Sequence, residues 1–440
     1  VISYDACRAM ACPSSAILAA IDQALADGVD VLNLSIALSQ EDPWQDPVAL
    51  ALLAARAQGI SVTAAAGNAG AAGTVAAPAP WILSVGASSH GRELVNGRWE
   101  DNPARRDHLA SFSAQGPARS TRCCRRPGMG LAGVDLDLLK PDLVAPGVEV
   151  LSADLGPGIA VLPRSGTSMA APQAAGALAV LRALHPAWSA AERQSALLLN
   201  TAPLVLGAGQ RPRLGAGAGR LDLDASARSG LLLDSAPETL RRAGDDPAVR
   251  LRELNLPALV DSSCHPACRF HRRLRGAAGS VLRWTAAVEL TPAGSPLQVA
   301  VNPSSFSMGP GEEIEVTIDV VAREGVDPAL WIEGGLRWTA DDPRRPDAVL
   351  PMLLRARPAL LPPAIAVAVT ETAGEAVVAG AEGPGHGAAR LGDFGLTQAS
   401  LHSLRLGPDP SPHDPYDDPR GTIWLTLDRP GERLDRLVAE

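Results

Sequence analysis

The sequence lacks the features that mark membrane-spanning and nucleic-acid-binding proteins. Lys140 is the only lysine in 440 residues, and the formal net charge is −9, which argues against nucleic acid or an anionic membrane as partner. No uninterrupted apolar run approaches the roughly 18 residues that a spanning helix needs, because arginines and prolines break the best candidate, residues 353–369. We therefore expect no nucleic-acid partner, no membrane insertion, and a protein of two or three domains.

A serine stands where a helix is predicted to begin. Residues 166–172 read Gly-Thr-Ser-Met-Ala-Ala-Pro, and an alanine-rich apolar run continues to Leu184. The first N–H groups of a helix have no intrahelical acceptor, and the helix dipole favours negative charge there. Such a place suits a nucleophile, Ser168, whose attack creates an oxyanion. For an isolated Thr-Ser pair, the alternative is an ordinary N-cap before a core helix.

The heptapeptide resembles the nucleophile motif of subtilisin-like serine proteases, the subtilases, with Gln173 where the family usually has histidine. The resemblance continues upstream, where a helix-period segment precedes the apolar strand at 28–36 and a second strand ends in Gly67-Asn68. Asn68 resembles the oxyanion-hole asparagine of the family. By itself, an Asn-Ala-Gly sequence would favour a turn asparagine; the later Gly-Thr-Ser-Met-Ala-Ala-Pro segment favours the oxyanion-hole interpretation.

The resemblance implies a set of site residues. Ser168 would be the nucleophile, while Asn68 and the Ser168 N–H would hold the oxyanion. Ala37 stands where the cleft strand of the family usually has glycine. The small residues 65–67 would leave an open, apolar pocket for the substrate side chain, which would give broad cleavage specificity. The substrate-binding residues implied are Ser35, Ile36, Ala37, Ala65, Ala66, Gly67, Gly166 and Thr167.

Two members of the expected triad are missing. A subtilase triad runs Asp, His, Ser along the chain, but neither an Asp-Thr/Ser-Gly turn nor a His-Gly-Thr-His helix start occurs, and all eight histidines follow the cleft strand. We interpret the chain as an N-terminally truncated serine endopeptidase acting on polypeptides, inactive as given and monomeric when full-length. The alternative is a non-catalytic pseudoprotease that binds polypeptide or polysaccharide.

The cysteines indicate a secreted protein. Cys7 and Cys12 form one close pair, Cys264 and Cys268 another, and such pairs favour local disulfides. Zinc near Cys264 is the alternative, but the spacing of the neighbouring histidines matches no structural zinc pattern well. The sequence does not determine whether the adjacent Cys123 and Cys124 are reduced or oxidised.

Beyond residue 240 the spacing of apolar residues changes from a helical period to alternation with polar residues. Residues 313–320 alternate strictly, which predicts a strand with one buried face. We predict an α/β fold in which a partial subtilisin-like parallel sheet with flanking helices (1–240) precedes one or two β-sandwich domains. Residues 250–357 resemble the fibronectin-III-like domain that trails many secreted subtilases, and 358–440 would form a small β-rich region or a segment trimmed on maturation. Few contacts are expected between the sandwich and the α/β layer.

No cofactor is expected from the resemblance. Structural calcium is compatible with it, but the sequence does not place a site. Asp414, Asp417 and Asp418 carry suitable ligand oxygens, but a solvated acidic loop is the favoured interpretation because surface charge needs no ligand.

Overall fold

The computed structural model describes residues 1–7, 11–36, 38, 41–96, 98–120, 134–153, 161–207, 212–245, 249–291, 295–323, 326–327 and 329–356, and six short strands beyond 356. Helices and strands both occur up to residue 245. The helices are α1 (Ser14–Ala26), α2 (Pro47–Ala57), α3 (Thr167–Leu184), α4 (Ala190–Leu199), α5 (Pro212–Ala216), α6 (Leu223–Ala227) and α7 (Pro237–Asp245). The strands are β1 (Val31–Leu34), β2 (Ser61–Ala65), β3 (Leu83–Ser88), β4 (Arg92–Val95), β5 (Arg98–Asp101), β6 (Arg119–Ser120), β7 (Val134–Asp135), β8 (Leu143–Pro146), β9 (Val150–Ala153), β10 (Val161–Arg164) and β11 (Leu231–Leu232).

A parallel sheet forms the centre of this half, in the order β1-β2-β3-β8. Strands β2 and β3 are buried along their whole length, as expected for parallel strands covered on both faces. Helices α1 and α2 share one core with Val62 and Ala64, while α3 shares another with Leu83 and Val85. Because side chains alternate across a strand, these cores lie on opposite faces of the sheet.

Small side chains bring α3 close to the sheet. Ala170, Ala171 and Ala174 expose none of their surface and pack in the same core as β3 and β8. The sheet and the start of α3 are therefore held at short range. The predicted α/β class is confirmed.

An antiparallel sandwich follows the α/β layer. Its strands are β12 (Leu259–Asp261), β13 (Ala267–Gly276), β14 (Leu282–Thr291), β15 (Leu297–Asn302), β16 (Ser305–Met308), β17 (Glu313–Ala322), β18 (Trp331–Ala340) and β19 (Ala348–Arg355). One sheet has the order β11-β13-β17-β15 and the other β12-β19-β18-β14-β16, with β12 parallel to β19. Phe270 and Ile318 of the first sheet share a core with Trp284 and Trp338 of the second.

The sandwich packs closely on the α/β layer, so the expectation of few contacts between them is wrong. Leu199 joins the sandwich core, and Leu139 and Leu214 pack against Trp331 in a smaller cluster. The Arg213 guanidinium donates to the Gly334 carbonyl oxygen at 2.9 Å. The sequence could not show this, because the leucines of α4 and α5 look like core residues of their own layer.

Six further strands are described by their backbone: β20 (Ile365–Val367), β21 (Ala373–Glu375), β22 (Gly387–Asp393), β23 (Leu401–Leu406), β24 (Thr426–Asp428) and β25 (Leu437–Ala439). Asp414, Asp417 and Asp418 lie outside the described residues, as do Cys123 and Cys124. The domain limits and the fibronectin-III-like assignment remain predictions. None of the helices in the described part of the chain has the length and apolarity required to cross a bilayer.

Candidate active site

Ser168 is the second residue of α3, in the first turn, as the sequence predicts. Its N–H has no intrahelical acceptor because of this position. Gly166 precedes the helix, with no side-chain cap, so nothing from its own segment covers the helix start. An electropositive helix end and a serine hydroxyl thus occupy the same place.

Asn68 binds the residue before the serine. It lies beyond β2, at the carboxyl edge of the sheet, and its Oδ1 accepts from the Thr167 N–H at 2.9 Å and from the Thr167 hydroxyl at 3.0 Å. A main-chain N–H can only donate, so the amide must present its oxygen to Thr167 and its NH₂ elsewhere. The Thr167 Oγ1 in turn accepts from the Gly67 N–H at 3.1 Å.

Ser35, which directly follows β1, forms two hydrogen bonds with Ser168. The Ser168 hydroxyl donates to the Ser35 carbonyl oxygen at 3.1 Å, and the Ser35 hydroxyl donates to the Ser168 carbonyl oxygen at 2.8 Å. Three segments far apart in sequence, at 33–36, 65–68 and 166–168, therefore converge at one edge of the sheet.

The remaining predicted substrate contacts differ in accessibility. Ile36 is half-buried, and Ala37 lies outside the described residues. Ala65 and Ala66 expose 1% and 0% of their surface, so the predicted open pocket would require them to become uncovered. Gly67 is buried and adopts φ +105°, a conformation that side chains rarely allow.

Four of the described histidines make side-chain hydrogen bonds elsewhere. His90 bonds the Glu149 carbonyl oxygen at 3.3 Å, His108 that of Ala104 at 2.9 Å and His185 that of Ala227 at 2.9 Å. His271 faces the Glu315 carboxylate at 3.2 Å. Within the described part of the chain, no histidine is bonded to the Ser168 hydroxyl, and a serine without a base is a weak nucleophile.

The close cysteine pairs are disulfide-bonded: Cys7 with Cys12, and Cys264 with Cys268. Neither pair is therefore available to zinc as thiolates. Among the described side chains, no three His, Cys, Asp or Glu residues are grouped so that they could hold a metal ion.

Sequence reasoning missed Asn33 and Thr63. The Asn33 NH₂ donates to the Ser35 hydroxyl oxygen at 3.1 Å, and the Thr63 hydroxyl donates to the Asn33 Oδ1 at 2.9 Å. Asn33 could have been found, because it is a polar residue in an otherwise apolar strand. It lies two residues before Ser35 and therefore on the same face.

A buried ion pair supports the sheet at the amino-terminal ends of β3 and β8. The Lys140 ammonium donates to the Asp142 carboxylate at 2.6 Å and to the carbonyl oxygens of Ala79 and Ile82. Burial lowers the pKa of Lys140 and raises that of Asp142, and the attraction between them opposes both shifts. The pair fixes the loop that leads into β3.

Known proteins resemble this chain along much of its length. The model of the subtilase family matches residues 1–227. Subtilisin-like protease SBT4.10 of Arabidopsis thaliana is 25% identical, the match covering 77% of this chain and 63% of the relative. For SBT4.9 of the same plant the values are 26%, 77% and 64%. A shorter match, 44% identical, covers 21% of this chain and 13% of the plant's CO(2)-response secreted protease. The chain thus spans just under two thirds of the first two relatives.

Proposed function

We propose that this chain, which belongs to the subtilase family, carries the nucleophile and the oxyanion-binding groups of a serine endopeptidase. The observation that carries the proposal is the contact between Asn68 and Thr167, which joins positions 99 residues apart at 2.9 Å. It brings an amide with free donors beside a serine at a helix N-terminus. A structural N-cap alone would not need the serine that follows.

In the proposed reaction, the Ser168 oxygen attacks the carbonyl carbon of a peptide bond. The carbonyl oxygen becomes an oxyanion, which the Asn68 NH₂ and the Ser168 N–H stabilise. Collapse of this intermediate breaks the C–N bond, releases an amine and leaves an ester on Ser168. Water then attacks the ester by the same route and frees the carboxylic acid.

The general base is proposed to come from a histidine outside the 440 residues, oriented by an aspartate. The base would take the proton of the Ser168 hydroxyl, which here forms a hydrogen bond to the Ser35 carbonyl oxygen. It would then deliver this proton to the leaving amine. The same chain without a base should be nearly inactive. In subtilisin, loss of the base costs about 10⁶ in turnover.

Substrate binding is proposed to use the cleft strand at 35–37 and the turn at Gly166 and Thr167. Extended peptides bind sheet edges through main-chain hydrogen bonds, and polypeptides are the substrates proposed. Secretion is supported by the two disulfides and by the name of one relative. The proposed enzyme is a monomer that needs no cofactor.

Hydrolysis of casein by the full-length protein tests this function. The Ser168→Ala variant should abolish hydrolysis, while Ser165→Ala, three residues away in the exposed lead-in to the helix, serves as the matched control and should retain it. If both variants keep their activity, the hydrolysis occurs at another site. A full-length protein that hydrolyses nothing but binds polypeptide would favour the pseudoprotease alternative.

A further inference from the structure

Pro172 leaves the main-chain carbonyl of Ser168 without its helical partner. In an α-helix, a C=O accepts from the N–H four residues ahead, and four residues after Ser168 stands Pro172, inside α3. Proline has no N–H to donate. The Ser35 hydroxyl takes the vacant place, at 2.8 Å from the Ser168 carbonyl oxygen.

The direction of that hydrogen bond is set by two further residues. Thr63 is fully buried in β2, and its hydroxyl donates to the Asn33 Oδ1 at 2.9 Å, which is nearer than its other acceptor, the Leu32 carbonyl oxygen at 3.4 Å. The Asn33 amide must therefore turn its NH₂ toward Ser35, to which it donates at 3.1 Å. The Ser35 oxygen is occupied as an acceptor there, so its single proton is left for the Ser168 carbonyl.

We propose that Thr63, Asn33 and Ser35 form a hydrogen-bond relay that positions the Ser168 main chain for nucleophilic attack. The inference rests on the proposed endopeptidase function. Ser35 is the positioning residue: it holds the peptide group that follows Ser168, while Asn68 holds the helix start that precedes it. The serine Cα is thereby fixed from both sides, and only its side chain needs to rotate from the Ser35 carbonyl toward a base.

Three substitutions separate the relay from a purely structural role. Ser35→Ala removes the hydroxyl, whereas Ser35→Thr keeps it. Asn33→Asp preserves shape and still accepts from Thr63, but an ionised carboxylate cannot donate, so Ser35 should turn its proton away from Ser168. Ser35 and Asn33 are both exposed, and exposed substitutions rarely unfold a protein. Asn302→Asp, at an exposed position of β15, adds the same charge in the sandwich and is the control.

The first measurement needs no activity. With ¹³C-carbonyl serine and ¹⁵N methionine, only the two Ser-Met pairs of the chain, Ser168-Met169 and Ser307-Met308, give carbonyl–amide correlations. The Ser168 carbonyl signal should move upfield in Ser35→Ala and Asn33→Asp, and stay in place in Ser35→Thr and Asn302→Asp. The Ser307 signal is the internal reference. An unmoved Ser168 signal in both variants would refute the relay.

The second measurement uses the full-length protein. If one net hydrogen bond is worth about 1 kcal/mol, kcat should fall about five-fold in Ser35→Ala and Asn33→Asp, with KM nearly unchanged. Ser35→Thr should recover most of that loss, and Asn302→Asp should show none. Agreement between a neutral and a charged variant excludes charge as the cause.

The two measurements distinguish the failure of each proposal. A wild-type protein without activity overturns the proposed function, and the carbonyl shift still decides whether the relay exists. An active wild type in which the carbonyl signal moves but kcat does not would refute positioning. Movement of both supports the relay.

Discussion

Asn68 and Thr167 are joined by two hydrogen bonds, from the Thr167 N–H and from its hydroxyl to a single amide oxygen, at 2.9 and 3.0 Å. This contact ties the end of a buried strand to the first turn of the helix that carries Ser168. The amide oxygen caps the helix, and in the proposed mechanism the NH₂ of the same side chain binds the oxyanion.

Asn68→Asp should separate these two functions. The substituted side chain keeps an acceptor for Thr167 but loses both donors, so kcat of the full-length enzyme should fall by at least about 10²-fold, as loss of an oxyanion donor does in subtilisin. Asn68→Ala should lower kcat and also cost about 0.5–2 kcal/mol of unfolding free energy, as lost caps do. Full turnover by Asn68→Asp would exclude the amide from the oxyanion hole.

Asp142→Asn should destabilise the α/β layer strongly. The substitution leaves the buried Lys140 ammonium without its counter-charge, and breaking a buried pair costs about 3–5 kcal/mol. Urea unfolding of the 440-residue chain measures this. Asp224→Asn, which breaks an ion pair whose aspartate is 81% exposed, is the control and should change stability by about 0.5 kcal/mol or less. Equal effects in the two variants would contradict the burial argument.

Asp137 should make stability depend on pH. Burial, and then the neighbouring Asp261 carboxylate, raise its pKa from 3.8 to about 7, while the Ser262 N–H donates to it at 2.8 Å and the Arg252 guanidinium attracts its charge. Between these values the folded state keeps a proton that the unfolded state releases, so this group reduces stability as pH rises from about 3.8 to 7. Its contribution is constant outside that interval.

Asp137→Asn should remove this dependence and still accept from Ser262. The melting temperature of the variant minus that of the wild type should be smallest near pH 4, increase with pH and level off above about 7. Thermal unfolding of the 440-residue chain at several pH values measures the difference. A difference that does not vary with pH would show that Asp137 titrates normally.

Much of the fold could be predicted from local pattern. The alternation in β17 places Val316, Ile318 and Val320 in the sandwich core, because strand side chains alternate between faces. Ser168 falls in the first turn of its helix because a glycine-led segment precedes a continuous alanine-rich run. These features depend on neighbours in sequence, which the sequence displays directly.

Other features depend on register and could not be predicted. The relay requires Asn33 to lie opposite Thr63, a pairing set by the alignment of β1 and β2. Arg272 is 1% exposed in the sandwich, although arginines are mostly exposed, because main-chain carbonyl oxygens accept from its guanidinium. The packing of Leu214 against Trp331 likewise needs the relative placement of two layers.

Fluorophosphonate labelling tests the central claim, that Ser168 is a nucleophile that becomes reactive only when a general base is supplied. In the 440-residue chain, where Ser168 bonds only to the Ser35 carbonyl among the described contacts of its hydroxyl, the probe should react no faster than with a surface serine. In the full-length protein it should react quickly and at one position, which peptide mapping should identify as Ser168, and Ser168→Ala should abolish labelling. A full-length protein that stays unlabelled, or that is labelled at another serine, would contradict the account.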